Sequence, residues 1–323
     1  MKAVCSDAEF IELWRVHKSG AKIAKVLGVA ERNVMQRRRR IELKHGVKLG
    51  AADHRAGRYD HRQTAHHHAK RLDLGILNGT ILVFSDAHFW PGIRTTAFCG
   101  LQWAIEEMQP QAVVNNGDAF DGASISRHPR IGWDSTPSVI EELKACDAAL
   151  GEIEETAKAA RHNVRLIWTL GNHDARFENR LAANAPQYEQ VKGFSLKDHF
   201  PAWEPCWAAW NGPSTVIKHR LSGGVHATHN NTVKAGVSIV TGHLHSLKVT
   251  PFDDYNGTRY GVDTGTLADP QGPQFSNYLE EGPTNWRSGF AVLTFVDGKL
   301  LFPEVVKVHA PGKIEFRGKV IEV

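Results

Sequence analysis

Val164-Arg-Leu-Ile-Trp-Thr-Leu170, followed at once by Gly171-Asn172-His173-Asp174, is the stretch on which the fold turns. A short apolar run rich in β-formers, closed by glycine, reads as a buried strand. The side chains delivered at its carboxyl end are an amide, an imidazole and a carboxylate. Three other runs repeat the arrangement. Thr80–Ser85 ends in Asp86-Ala87-His88, Ala112–Asn116 in Gly117-Asp118-Ala119-Phe120-Asp121, and Val237–Thr241 in Gly242-His243-Leu244-His245. Between the first three lie helical patterns. One runs from Thr95 to Gln109, with Phe98, Leu101, Ile105 and Met108 on one face; the other runs from Pro137 to Ala160, with Thr136 as its cap. Alternating strand and helix predicts an α/β layer structure, in which ligands gather beyond the carboxyl ends of strands. Clusters far apart in sequence can therefore meet.

The 323 residues, 41% apolar and 23% charged, describe an ordinary globular chain and exclude fibrous or low-complexity classes. No apolar run approaches the roughly 20 residues a membrane-spanning helix needs, and the opening MKAVCSDAEF lacks a signal core. A cytoplasmic location, bacterial or phage-infected, is the expectation. Cys5, Cys99, Cys146 and Cys206 are widely spaced, which argues for reduced thiols rather than disulfides or a thiolate zinc site.

The ordered set Asp-x-His, Gly-Asp-x-x-Asp, Gly-Asn-His-Asp and Gly-His-x-His closely resembles the calcineurin-like metallophosphoesterase family over about residues 80 to 300. The resemblance implies a sandwich of mixed β-sheets flanked by helices, occupying 76–323, and hydrolysis of phosphoric esters. It implies one metal held by Asp86, His88, Asp118 and His245, and a second held by Asp118, Asn172, His243 and a further histidine. The sequence offers His219, His226 and His229 for that place; His219, delivered by the strand-like run Thr215–Lys218, is chosen, with His226 as runner-up, and Arg220 stands where the family usually has glycine. Carboxylate, amide and imidazole donors suit Mn²⁺ first, with Fe²⁺ or Zn²⁺ as alternatives. Two such ions about 3.5–4 Å apart activate a water and clamp a phosphoryl group. His173 is expected to remain off the metals and to stabilise or protonate the leaving oxygen, with Asp174 setting its tautomer and raising its pKa.

Other residues are weighed against plainer roles. Asp121 is read as orienting its loop. Arg127, His128, Arg176, His226 and His229 are candidates for a substrate phosphate, against surface ion pairs or satisfied structural histidines. Trp203, Trp207 and Trp210 read as an aromatic cluster under a loop in preference to a base-stacking platform. Residues 253–290 read as loops and short strands at the site mouth, and 291–300 as a hairpin closing the sheet.

Charge divides the chain. Residues 1–72 carry 17 basic and 7 acidic side chains, a net +10, while the remaining 251 carry 22 and 28, a net −6. Within 1–45, Ser6-Asp7-Ala8-Glu9 is a capping box, and three short helices with a basic third one resemble a helix-turn-helix module. Arg32, Asn33 and Gln36 are then candidates for base edges, and Arg37, Arg38, Arg39 and Arg40 for phosphates. Residues 46–75, rich in Gly, His and Arg, read as a linker. The pairing of such a head with a phosphoesterase also resembles tailed-bacteriophage gene products. DNA is the expected partner, and a homodimer would suit a helix-turn-helix reader. The leading expectation is a DNA phosphodiesterase or nuclease. The alternatives are a phosphomonoesterase with a docking head, or a DNA-binding regulator with an inert body.

Overall fold

The computed structural model describes residues 5–50, 71–127, 136–279 and 282–323. It divides into two compact units, residues 1–68 and 69–323.

In the first unit, helices α1 (Asp7–His17), α2 (Gly20–Leu27) and α3 (Glu31–His45) follow one another through tight turns. The expected capping box is present: Ser6 accepts from the Glu9 amide while Glu9 reaches back to Ser6. Ser19 caps α2, and Gly28 ends it in the left-handed region, with φ of 63°. The core is Phe10, Trp14, Ile23, Ala24, Val34, Ile41 and Leu49. Two arginines of the basic run serve this packing rather than standing out towards solvent. Arg37 lies over the Phe10 ring and donates to the Cys5 carbonyl. Arg38 lies over Trp14 and pairs with Glu42. Of the run read as contacting phosphates, Arg37 and Arg38 are thus engaged within this unit. Exposed Arg32, Asn33, Gln36, Arg39 and Arg40 fall at spacings of three and four, on one side of α3.

The second unit is built on two sheets, with strands numbered along the chain. The smaller has the order β1–β6–β7–β8–β10–β9: β1 (Arg71–Asp73), β6 (Ala208–Asn211), β7 (Thr215–Ile217), β8 (Ser238–Thr241), β10 (Gly257–Asp263) and β9 (Lys248–Asp254). The stretch read as linker thus ends in a strand, because Arg71–Asp73 pairs in parallel with Ala208–Trp210. The larger sheet runs β15–β14–β13–β11–β2–β3–β4–β5. Its parallel half is β2 (Gly79–Phe84), β3 (Ala112–Asn115), β4 (Arg165–Thr169) and β5 (Glu204–Cys206). Its antiparallel half is β11 (Gly289–Val296), β13 (Glu304–Ala310), β14 (Lys313–Phe316) and β15 (Lys319–Glu322), with β12 (Lys299–Leu300) turned back on β11.

Helices α4 (Thr96–Met108) and α5 (Val139–Ala160) are the crossovers between β2, β3 and β4. The second starts later than its sequence suggests. Ser138, not Thr136, is the cap, closed by Glu141 in a capping box, so Pro137 stands outside the helix. The remaining helices are α6 (Asp174–Asn184), α7 (Ala227–Ala235) and α8 (Pro273–Leu279).

The parallel strands are apolar on both faces for a physical reason. Leu82, Phe84, Val113, Leu166 and Trp168 pack on the helical side with Leu101, Ile105, Leu150 and Ile153. Their alternates Ile81, Val83, Val114 and Ile167 pack against the second sheet through Ala209, Ile217, Val240 and Val262. A sheet covered on both sides yields a nearly continuous apolar run instead of alternation. Of the tryptophans expected to cluster, Trp203 is buried against Phe84, Trp207 is 43% exposed, and Trp210 lies under Arg71. They sit around β5 and β6 and do not share one helical face.

Candidate metal centre

Every predicted ligand stands just beyond the carboxyl end of a strand: Asp86 and His88 after β2, Asp118 after β3, Asn172 after β4, His219 after β7, and His243 and His245 after β8. Parallel pairing brings the first loops side by side. The amides of Asp86 and His88 donate to the carbonyls of Gly117 and Asp118 at 2.9 and 3.0 Å, and Gly242 donates to His219 across the other sheet at 2.9 Å.

The glycines before Asp118, Asn172 and His243 are needed for this approach. A Cβ on Gly171 would lie 2.0 Å from Asp118 Oδ1, one on Gly242 2.4 Å from Ser85 Oγ, and one on Gly117 2.6 Å from His219 Nδ1. Five of the ligands themselves have left-handed backbones: Asp86, His88, Asp118, His243 and His245, with φ from 39° to 72°. Such a conformation costs a non-glycine residue about 1–3 kcal/mol, and packing must hold it.

Among the described residues three groups have donor atoms within 4.8 Å of one another: Asp86–His88–His245 and Asp118–His219–His243, made of predicted ligands, and His88–Asp121–His173. Asp86 Oδ1 lies 3.1 Å from His245 Nε2, and Asp118 Oδ2 lies 3.0 Å from His219 Nε2. Asp86 and Asp118 are fully buried, and their carboxyls lie below the usual range. Burial opposes that shift, but the facing imidazoles outweigh it, principally His245 for Asp86 and His219 for Asp118.

Hydrogen bonds fix which nitrogen His219 and His88 present. His219 Nδ1 is 2.7 Å from the Asn116 carbonyl, so it is the donor and Nε2 is the nitrogen left to face a cation. His88 Nδ1 is held by Asp121 Oδ1 at 2.7 Å. Asn172 Oδ1 is buried without a hydrogen-bond partner. A buried carbonyl oxygen, two carboxylates and lone-pair nitrogens converging in this way fit divalent cations. His219 is 2% exposed and lies among the other predicted ligands, whereas His226 is exposed ahead of α7. Arg220 is not among the left-handed residues, so nothing there calls for the family's glycine.

The pairing of His173 with Asp174 is corrected. The Asp174 carboxylate accepts from the amides of Gly171, Asp118, Ala119 and Phe120 and from Trp168 Nε1, at 2.8 to 3.1 Å. It ties the β3 and β4 loops together, and that duty consumes it. The His173 partner is Asp121, whose Oδ1 lies 2.9 Å from Nδ1. Nε2 of His173 stands 3.9 Å from Asp118 Oδ2 and 3.1 Å from an Arg176 nitrogen. Burial disfavours the charged ring, but the charges of Asp118 and Asp121 outweigh it, and the His173 pKa lies above the ordinary histidine value.

Asp121 therefore reaches two imidazoles, more than the loop-orienting role its sequence suggested. The loop after it is gripped from α5, where buried Glu142 accepts from the amides of Gly122 and Ala123 at 2.6 and 3.0 Å. Burial, with Asp121 nearby, pushes the Glu142 carboxyl up to about 7.

Of the substrate-binding candidates, Arg176 reaches the centre, also donating to the Asp121 carbonyl at 3.0 Å. Arg127 is exposed on the loop after β3. His128 lies outside the described residues. His229 is exposed and packs against Phe252. Two aromatic neighbours escaped sequence reasoning. Phe275 packs against His88 and His245, and Trp286 against His245 with ring centroids 4.4 Å apart. Their segment is poor in periodicity and gave no signal.

Neighbouring Asp/His ligand groups at the strand ends of a two-sheet α/β sandwich define a metal-dependent phosphoric ester hydrolase. A calcineurin-like phosphoesterase family model matches residues 79–261, and the chain belongs to that family. It is also similar to the Gene 54 protein of Mycobacterium phage L5, with 28% identity over 247 residues, covering 68% of this chain and 89% of the phage protein. Among the described residues no helix is long and apolar enough to cross a membrane.

Proposed function

We propose that the protein is a DNA phosphodiesterase, working with two divalent cations, Mn²⁺ first among them, and brought to its substrate by residues 1–45. When bound, the cations supply Lewis acidity to the phosphoryl oxygens and lower the pKa of a water. The chain's own residues do the rest. Asp86, His88, Asp118 and His245 hold one site and Asp118, Asn172, His219 and His243 the other. Arg176 offers a cation to a substrate phosphate. His173, whose pKa the charges of Asp118 and Asp121 raise against burial, stands with Nε2 towards the centre and gives a proton from that nitrogen to the leaving oxygen once Arg176 turns from it to the substrate phosphate.

The observation that carries the choice of DNA is the exposed side of α3. Arg32, Asn33, Gln36, Arg39 and Arg40 combine base-reading and phosphate-binding chemistry on the second helix after a short turn. The −6 charge of residues 73–323 favours one other reading, a phosphomonoesterase with the first unit as docking element, because an acidic body repels a long polyanion.

The test is a panel of Mn²⁺-loaded protein against single- and double-stranded DNA, RNA and p-nitrophenyl phosphate, with Arg39→Ala/Arg40→Ala as comparison. Cleavage of DNA is expected, with binding whose salt dependence falls by about one unit of slope per arginine removed. Hydrolysis confined to monoesters would replace this reading by the second.

A further inference from the structure

We infer that the cleft beside the His245 side of the metal centre is a nucleotide subsite, with Trp286 as the surface on which a base stacks. The choice of ligand rests on the nucleic-acid reading above.

The cleft measures about 490 Å³ and is lined by Arg94, Thr95, Asp269, Trp286, Arg287 and Lys307, among others. That volume falls in the range of small-molecule sites. Trp286 joins it to the centre. Its ring meets the His245 imidazole edge-on, at 4.4 Å and 65°, and Phe275 at 5.1 Å. The backbone holds that position, because the Arg287 amide donates to the His245 carbonyl at 2.7 Å and the Thr266 amide donates to the Arg287 carbonyl at 3.1 Å. A group lying on Trp286 is thus separated from the predicted ligand His245 by the indole ring alone.

The charges favour an anion. Arg287 donates to the carbonyls of Ser246 and Asn285, which leaves its charge uncompensated by those contacts. Lys307 is half exposed and 4.0 Å from Glu315. Arg94 is held by Glu152, and Asp269 is the one carboxylate among the six residues named. A half-buried indole flanked by cations is the combination that binds single-stranded nucleic acid without reading its sequence. An aliphatic phosphoester would use the cations and leave the indole unengaged.

The experiment compares equilibrium binding of thymidine 5′-monophosphate and ethyl phosphate to Mn²⁺-loaded wild type, Trp286→Phe and Trp286→Ala, with metal content measured for each. Wild type should bind the nucleotide about tenfold more tightly, or better. Trp286→Phe should keep most of that preference, and Trp286→Ala should abolish it with both metals retained. Equal affinities in wild type, or a loss in Trp286→Ala that is the same for both ligands, overturns the subsite. Hydrolysis of thymidine 5′-(p-nitrophenyl) phosphate, run alongside, separates the two claims. Its absence removes the phosphodiesterase reading while the binding contrast still decides the subsite.

Discussion

Oδ1 of Asp121 lies 2.9 Å from Nδ1 of His173, and this contact gives the imidazole proposed as general acid both its orientation and part of its elevated pKa. The same oxygen lies 2.7 Å from Nδ1 of the ligand His88. Asp121→Asn should therefore lower kcat by about 10–100-fold, the usual cost of losing such a supporting partner. Removing the carboxylate also removes stabilisation of the imidazolium. The alkaline limb of the kcat profile should move to lower pH, and an unmoved limb would mean that another group supplies the proton.

Asp118 belongs to both proposed sites, while His219 and His226 are rivals for one place. Asp118→Ala should abolish hydrolysis and reduce bound metal at both sites. His219→Ala should reduce bound metal by about one equivalent, and His226→Ala should leave it unchanged. Metal analysis after dialysis checks all three, and a normal count in His219→Ala would remove it from the ligand set.

Gly171 and Gly151 predict opposite outcomes for one substitution. A Cβ at Gly171 meets Asp118 Oδ1 at 2.0 Å, whereas nothing lies within 4 Å of one at Gly151 in α5. Gly171→Ala should destabilise the protein by about 1–3 kcal/mol and cost metal binding. Gly151→Ala should stabilise it by about 0.5–1 kcal/mol, because alanine suits a helix interior better. Chemical denaturation of the two variants measures both.

The Glu142 carboxyl has a folded-state pKa near 7, against an ordinary 4.5. It binds its proton more tightly in the folded chain. The stability this confers is present below about pH 4.5 and is lost as pH rises through 7. Glu142→Gln cannot titrate. Wild type should lose ground to that variant between pH 5 and 8, by a few kcal/mol at most, and parallel stability profiles would show that Glu142 is ionised throughout.

Much of the centre was legible because its ligands come in short local groups at the ends of apolar runs. Spacing alone placed Asp86 with His88 and His243 with His245, and strand periodicity placed each group at a strand end. His219 came without such a group, and its place had to be chosen among three histidines. Burial beside Asp118 distinguishes it. Adjacency in sequence does not put the Asp174 carboxylate against the His173 ring. The residue after His173 opens α6, and its side chain is drawn back to the amides of another loop.

The order of motifs, the alternation of strand and helix, the capping box of α1 and the opposite charges of the two parts are properties of the chain as written. Local backbone preference and side-chain chemistry suffice to read them. Which carboxylate serves His173, which arginines of α3 are consumed by Phe10 and Trp14, and which tryptophan stands beside a metal ligand depend on contacts between segments remote in sequence. Those are set by how two sheets and their loops pack, and no periodicity in a single strand records it.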